Sequence, residues 1–362
     1  MNKNSPQKTF IIAEAGVNHN GSLALAKQLI DVALDAGADA VKFQTFHAEE
    51  LVCTHAPKAE YQKIVGPDES QFNMLKSLEL SESNQIELHR YCKNRSILFL
   101  SSPFDLKSVD FLDKVLDLPI IKIPSGEITN LPLLLKIGHT GKQVILSTGM
   151  SALGEIETAL AILAYGYLHP ADKFKLSSAE EIYYSTAGQA ILQEKVSLLQ
   201  CTTEYPAPFA ETNLRVMQTF CDAFGLPVGY SDHTLGIAIA IAAVARGATI
   251  IEKHFTLDKT MTGPDHRASL EPLELTAMIT SIRQVELAIG NGKKIPTASE
   301  IKNRDIARKS LASLAEIKKG ELLSEKNMGC KRPGNGISPI NFYDYKDKHA
   351  DRDYKKDELI GI

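Results

Sequence analysis

Residues 249–254 read Thr-Ile-Ile-Glu-Lys-His. A short, β-branched aliphatic run suits a strand buried on both faces, yet it breaks into charged and titratable groups that a packed interior excludes. The same form recurs along the chain. It appears in eight runs: Phe10–Ala15, Ala40–Thr45, Ile97–Ser102, Ile120–Ser125, Val144–Thr148, Val196–Cys201, Pro227–Ser231 and Thr249–His254. Segments with helical apolar spacing mostly separate them, which is the pattern of βα repeats around a parallel sheet. Eight repeats in about 250 residues predict an α/β chain folded as a (β/α)8 TIM barrel. A doubly wound parallel sheet is the alternative.

Outward from those runs, Leu23–Ala36 reads as a helix stopped by Gly37, and Ser83–Cys92 as a helix capped by Ser81 or Ser83. Two connections exceed what a barrel needs: Phe46 to about Leu80, and Leu168–Glu194, a polar stretch carrying Tyr183 and Tyr184. Loops of that length are usually lids or insertions. The barrel pattern ends at Ile289, so residues 1–289 are expected as the barrel and 290–304 as a linker opened by Gly290-Asn291-Gly292. Residues 305–362, with turn signals such as Pro333-Gly334-Asn335-Gly336, suit a compact module of short strands.

Composition excludes several classes. A chain of 362 residues with 40 Lys and Arg against 44 Asp and Glu has no global charge to draw nucleic acid or a membrane surface. Five widely spaced cysteines without a Cys-x-x-Cys pair argue against a disulfide framework or a structural zinc, and read as buried thiols in a reducing compartment. Met1–Lys8 lacks the order of a signal peptide, and the longest apolar stretch, Leu235–Ala245, stops at Arg246. A cytoplasmic protein is expected.

The chemistry lies at the strand ends. These carry Glu14, Lys42 with Gln44, Ser101 with Ser102, Lys122 with Ser125 and Glu127, Ser147 with Thr148, Thr202 with Thr203, Ser231 with Asp232 and His233, and Glu252 to His254. One buried lysine or histidine is ordinarily a satisfied core residue, but eight strand ends of the same habit indicate a polar ring at the C-terminal mouth. Lys42 and Lys122, with hydroxyls of Ser102, Ser125 and Ser147, would hold a small anion. As an alternative, the lysines pair with Glu14 and Glu127 as structural salt bridges. His233 and His254, on adjacent strand ends, are the natural ligands of one divalent ion, though either could equally serve as a general base or a core hydrogen-bonder.

Ten ordered blocks bear a resemblance: AEAGVNHNGS (13–22), VKFQTF (41–46), SSPFD (101–105), KIPSGE (122–127), ILSTGM (145–150), CTTEYPAP (201–208), GYSDHT (229–234), EKHFTLD (252–258), GPDH (263–266) and KRPGNGISP (331–339). In these the chain resembles the sialic acid synthase (N-acetylneuraminate synthase) family, including the diacetyllegionaminate synthases. The resemblance implies a C-terminal antifreeze-protein-like (SAF) domain behind the barrel, a fold likeness with no ice binding. It implies that Lys42, Ser102, Lys122, Ser125, Ser147, Thr203 and Ser231 hold phosphoenolpyruvate, and that His233 and His254 hold a manganese-type ion, with Mg2+ or Co2+ as alternatives. It places Glu14, Gln44, Tyr205 and Asp265 on the amino sugar, with Arg332 supplied by the partner in a domain-swapped homodimer. Ser102 stands where some members have Thr, and Thr203 where some have Asn.

The implied activity is the condensation of phosphoenolpyruvate with N-acetylmannosamine, or with 2,4-diacetamido-2,4,6-trideoxymannose, and water. Phosphate leaves, and N-acetylneuraminic or N,N'-diacetyllegionaminic acid forms. Glu127 would steer water to C2, and Glu14, Lys42 and Lys122 complete the catalytic set. CTTEYPAP and the 168–194 stretch lean toward the diacetyllegionaminic subgroup. Pseudaminic acid synthesis, and a carbohydrate-binding protein without catalysis, are the alternatives.

Overall fold

The computed structural model describes residues 8–59, 62, 70–169 and 174–361. The N-terminal segment read against a signal peptide lies outside them, except Lys8, as do parts of the two long connections. The chain divides into two compact units, the first ending at Gly290 and the second starting at Asn291.

The first unit is built on eight strands: β1 (Phe10–Gly16), β2 (Ala40–Thr45), β3 (Leu98–Pro103), β4 (Ile120–Ile123), β5 (Gln143–Ser147), β6 (Val196–Cys201), β7 (Val228–Asp232) and β8 (Ile250–His254). They form one parallel sheet in the order β3-β2-β1-β8-β7-β6-β5-β4, and β3 and β4, its two ends, pack together to close a barrel. This is the TIM-barrel architecture, and each expected run falls on a strand within one or two residues. Helices cross over between successive strands, among them Leu23–Asp35, Glu82–Arg95, Leu131–His139, Leu153–Leu168, Val216–Phe224 and Ala238–Ala245, and Pro272–Ile289 follows β8. Ser22 caps the first of these through the Leu25 N–H, and Ser81 caps the second through the Asn84 N–H.

Alternation along the strands makes two faces. Outward residues such as Ile11, Val41, Phe99, Ile121, Val144, Leu198 and Ile251 join the helices in the main core. Inward residues fill the lower barrel with Ile12, Ala40, Leu100, Ile145, Leu199 and Ile250. Gly229 on β7 belongs to this layer, since a Cβ there would come 2.4 Å from the Ile250 carbonyl oxygen and 2.6 Å from a Leu199 methyl.

Three expectations need correction. The stretch expected as a linker contains a helix, Ala298–Ala307, opened by a capping box between Thr297 and Glu300. Helices Leu176–Tyr183 and Thr186–Lys195 occupy most of the connection read as a polar excursion, and Ala179, Phe174 and Ile182 pack on Ala161 and Tyr165 of the preceding helix. The five cysteines are free, but only Cys92 and Cys201 are buried, while Cys53 and Cys221 are exposed.

The second unit, taken by itself, is a small module of turns around an antiparallel pair, β9 (Ser310–Ser313) and β10 (Met328–Lys331). Leu311, Ile317, Leu323, Met328, Ala350, Tyr354 and Ile360 form its core. Among the described residues no helix is long and apolar enough to cross a membrane.

Candidate active site

Two residues above the apolar layer, the same inward positions carry charge. Lys42 Nζ lies 2.7 Å from Glu14 Oε2 and 3.7 Å from Glu252 Oε2, and Lys122 Nζ lies 3.3 Å from Glu252 Oε1. Lys42 also donates to Ser102 Oγ at 3.1 Å, and the Ser231 hydroxyl donates to Glu252 Oε1 at 2.9 Å. All four ionisable groups are buried. Burial would raise the Glu252 carboxyl, but Lys122, Lys42 and the Ser231 hydroxyl together hold it well below the usual range. Burial pushes Glu14 up to about 7, against the pull of Lys42 and helped by the Glu252 charge. Burial also lowers the Lys122 ammonium, against the pull of Glu252, so an incoming anion would supply the countercharge that a partly protonated Glu14 withholds from the lysines.

Glu252 is the hub of this cluster; the sequence placed it in the polar ring but assigned it no binding or catalytic role of its own. Its signal was the parity of β8, because Glu252 and His254 fall on one face and Lys253 on the other. Parity also corrects the expected ring. Ser101, Asp232 and Lys253 face away from the mouth: Ser101 Oγ bonds Thr45 Oγ1 at 2.6 Å, and Lys253 pairs with Asp232 at 3.0 Å while donating to the Thr234 carbonyl. Thr148 turns its hydroxyl to the Leu199 carbonyl. The alternative pairing of Lys122 with Glu127 is not seen. Glu127 Oε2 instead accepts from Asn130 Nδ2 at 2.6 Å, and burial, opposed by that bond and aided by the Asp105 charge, raises its carboxyl above the ordinary range.

The β5 turn brings backbone against the same cavity. The Gly149 N–H donates to Ser125 Oγ at 2.9 Å, and a Cβ at this position would meet Thr203 Oγ1 at 2.1 Å, so only glycine fits. Ser147 Oγ and Thr203 Oγ1 are buried without a hydrogen-bond partner among the described residues. Orphaned hydroxyls of this kind cost free energy until a ligand satisfies them.

His233 and His254 stand with ring centroids 5.6 Å apart. The His233 Nδ1–H donates to the Thr202 carbonyl at 2.6 Å, which leaves the Nε2 lone pair facing Tyr205 OH at 3.2 Å and Ser231 Oγ at 3.3 Å. Burial keeps His233 neutral, down to about 4, and holds His254 well below its ordinary value. His254 Nδ1 is buried with no hydrogen-bond partner among the described residues, and the nearest acid, Asp265, lies 3.8 Å away. Two neutral, desolvated imidazoles, one with an orphaned nitrogen, fit a divalent ion. No group of three or more His, Cys, Asp or Glu that could hold a metal occurs among the described residues, so such a site would be open.

One cavity of about 420 Å³ collects these groups. Glu14, Lys42, Gln44, Ser102, Lys122, Ser125, Glu127, Ser147, Thr203, Tyr205, Ser231, His233, His254 and Asp265 all line it. Arg332 does not: it lies exposed just after β10 in the second unit. Behind Asp265, the Asn-His-Asn-Gly segment of the first block ties two loops together, with Asn18 donating to the Phe255 carbonyl and Ser269 Oγ, and Asn20 to the Thr262 carbonyl.

A closed parallel barrel with such a polar, charged mouth is the architecture of a TIM-barrel enzyme. Residues 29–294 match the NeuB family. The chain is 53% identical to the N,N'-diacetyllegionaminic acid synthase of Campylobacter jejuni over 98% of its own length and 99% of that protein. It is 44% identical to the synthase of that name from Legionella pneumophila, over 93% and 89%. A crystal structure of the N-acetylneuraminic acid synthetase of Leptospira borgpetersenii, in complex with citrate, superposes with a TM-score of 0.66 at 34% identity, covering 82% of this chain and 90% of that one. The chain belongs to the NeuB family, and it is a synthase of the nonulosonic acid class.

Proposed function

We propose that the protein condenses phosphoenolpyruvate with 2,4-diacetamido-2,4,6-trideoxymannose and water to give N,N'-diacetyllegionaminic acid and phosphate. The observation that carries this reading is the paired Glu14–Lys42 and Glu252–Lys122 cluster, set beside orphaned hydroxyls and two neutral imidazoles in one cavity. The identities to two diacetyllegionaminic acid synthases favour that acceptor over N-acetylmannosamine and over a pseudaminic acid precursor.

In this reading Lys42, Lys122, Ser102, Ser125, Ser147, Thr203 and Ser231 receive phosphoenolpyruvate, the lysines countering its charge as bonds change. Glu14, Gln44, Tyr205 and Asp265 orient the acceptor so that its aldehyde carbon faces C3 of phosphoenolpyruvate. His233 and His254 hold a divalent ion of the manganese type, which when bound polarises the aldehyde. As the C3–C1 bond forms, positive charge develops at C2. Glu127, whose carboxyl pKa is raised by burial, takes one proton of the water that adds there while the former aldehyde oxygen takes one up. The C–O bond to phosphate then breaks as the C2 hydroxyl gives its proton to the leaving phosphate and becomes the ketone.

The second unit is read as the antifreeze-protein-like domain, and it supplies Arg332 to the partner's sugar site in a homodimer. Cytoplasmic placement follows from the substrates. Phosphate release should require both phosphoenolpyruvate and the diacetamido sugar, stop on chelation and return with Mn2+. Full turnover in a metal-free sample or in His233→Ala would remove the reading of the histidines, and release with neither sugar would remove the function.

A further inference from the structure

The barrel supplies the charged side of the cavity, and the other side is largely apolar, with the side-chain amides of Gln62 and Gln71 beside the aliphatic groups. Between β2 and the helix Glu82–Arg95 the chain forms two short helices, Ala48–Leu51 and Gln71–Leu78. From this connection Leu51, Val52, Met74, Leu75 and Leu78 line the same cavity as Lys42 and Lys122, joined by Phe104 after β3. The wall is pre-formed. Met74 and Leu78 are buried in a small cluster with Val17 and Phe46, on which Leu51, Leu75 and Phe104 pack, and the Phe46 and Phe104 rings meet edge to face at 6.2 Å. Leu51, Val52, Leu75 and Phe104 are only partly buried, so apolar surface is left for a ligand.

Phosphoenolpyruvate, dense in charge, has no use for this side. N-Acetylmannosamine would turn hydroxyls from C4 and C6 against it, and a hydroxyl that gives up water for an apolar wall recovers no hydrogen bond. The diacetamido sugar has an acetamido group at C4 and a methyl at C6, both of which bring methyl groups to the same positions. We infer that Leu51, Val52, Leu75 and Phe104 receive the C6 methyl and the second acetamido methyl of the acceptor, and so set its identity. This rests on the proposed condensation and names the residues that choose its sugar. Discrimination by such a wall is bounded, because an apolar pocket separates analogues that differ by a methyl or a hydroxyl by roughly 10–200-fold.

The test measures kcat/KM for both sugars at saturating phosphoenolpyruvate in the wild type and in Leu75→Gln, Leu51→Asn and Val52→Thr. The wild type should prefer the diacetamido sugar, and the preference should fall about tenfold or more in Leu75→Gln, mostly through the KM of the sugar. Thermal midpoint and phosphoenolpyruvate affinity report whether each variant is folded. If the larger changes unfold, Val52→Thr, nearly isosteric and partly exposed, decides the matter by whether it lowers the preference more than twofold. A wild type that uses the diacetamido sugar, with folded variants that keep its preference within twofold, overturns the role of the wall and leaves the condensation standing. A wild type that prefers N-acetylmannosamine overturns the wall together with the acceptor, and one that uses neither sugar overturns the condensation itself.

Discussion

On β8, Ile250 fills the barrel interior while Glu252 and His254 stand above it at the mouth. On β1, Ile12 lies below Glu14; on β2, Ala40 lies below Lys42; on β5, Ile145 lies below Ser147. The two layers share strands, register and burial, and differ in whether their groups are satisfied from within. The lower layer is apolar, and nothing in it waits for a partner. The upper one holds four buried ionisable groups, two hydroxyls without partners among the described residues and an imidazole nitrogen in the same condition. The lower layer stabilises the barrel by burial alone, whereas the upper layer costs stability until a ligand compensates it.

The largest expected effect comes from breaking the upper layer. Lys122→Met should abolish phosphate release and lower stability in urea unfolding at pH 7 by about 3 kcal/mol, the low end for a broken buried pair. Lys42, 3.7 Å from Glu252, and the Ser231 hydroxyl keep that carboxylate from being wholly abandoned. Adding Glu252→Gln should restore much of the stability and none of the turnover. Recovery of turnover would mean that the charges serve the fold. Next, Glu127→Gln should lower turnover by roughly 10²–10⁴ with little change in phosphoenolpyruvate binding, which separates a base from a binding group.

The lower layer should answer in the opposite way. Leu199→Ala removes a buried side chain from the centre of the apolar layer and should cost about 2–5 kcal/mol in urea unfolding. Turnover per folded molecule should stay within a few-fold of the wild type. A large loss of turnover with intact stability would show that the two layers are not separable.

Most of this division was legible in the sequence, because a parallel strand buried on both faces reads as an aliphatic run and its C-terminal end reads as the break in that run. Parity along each run separates Glu252 and His254 from Lys253, and Ser231 from Asp232. Reading strand ends as undivided groups hid both the hub at Glu252 and the outward Asp232–Lys253 pair. The helix at 298–307 escaped because no residue in it is buried, so it shows no apolar stripe, although Thr297 and Glu300 already spelled its cap. The apolar wall was invisible for another reason: Leu51, Leu75 and Phe104 lie far apart in the chain, and only the fold brings them together.

The smallest expected effect tests whether the upper layer's cost reaches its rim. Burial raises the Glu127 carboxyl, the Asn130 amide opposes it and the Asp105 charge adds to it, so the folded chain holds that proton more tightly than the unfolded chain does. Stability therefore falls as pH climbs from the unfolded carboxyl value, about 4.3, through the folded one, and the deficit persists above it. Gln at this position cannot ionise and escapes the deficit. Glu127→Gln should thus unfold at a higher temperature than the wild type near pH 7, with the difference shrinking as pH is lowered toward about 4.3. The variant that loses turnover would then be the more stable protein, as expected where a strained group is kept for its chemistry. A difference in midpoint that is absent at pH 7, or that grows as pH falls, would show that the Asn130 hydrogen bond outweighs burial and that Glu127 is satisfied without a ligand.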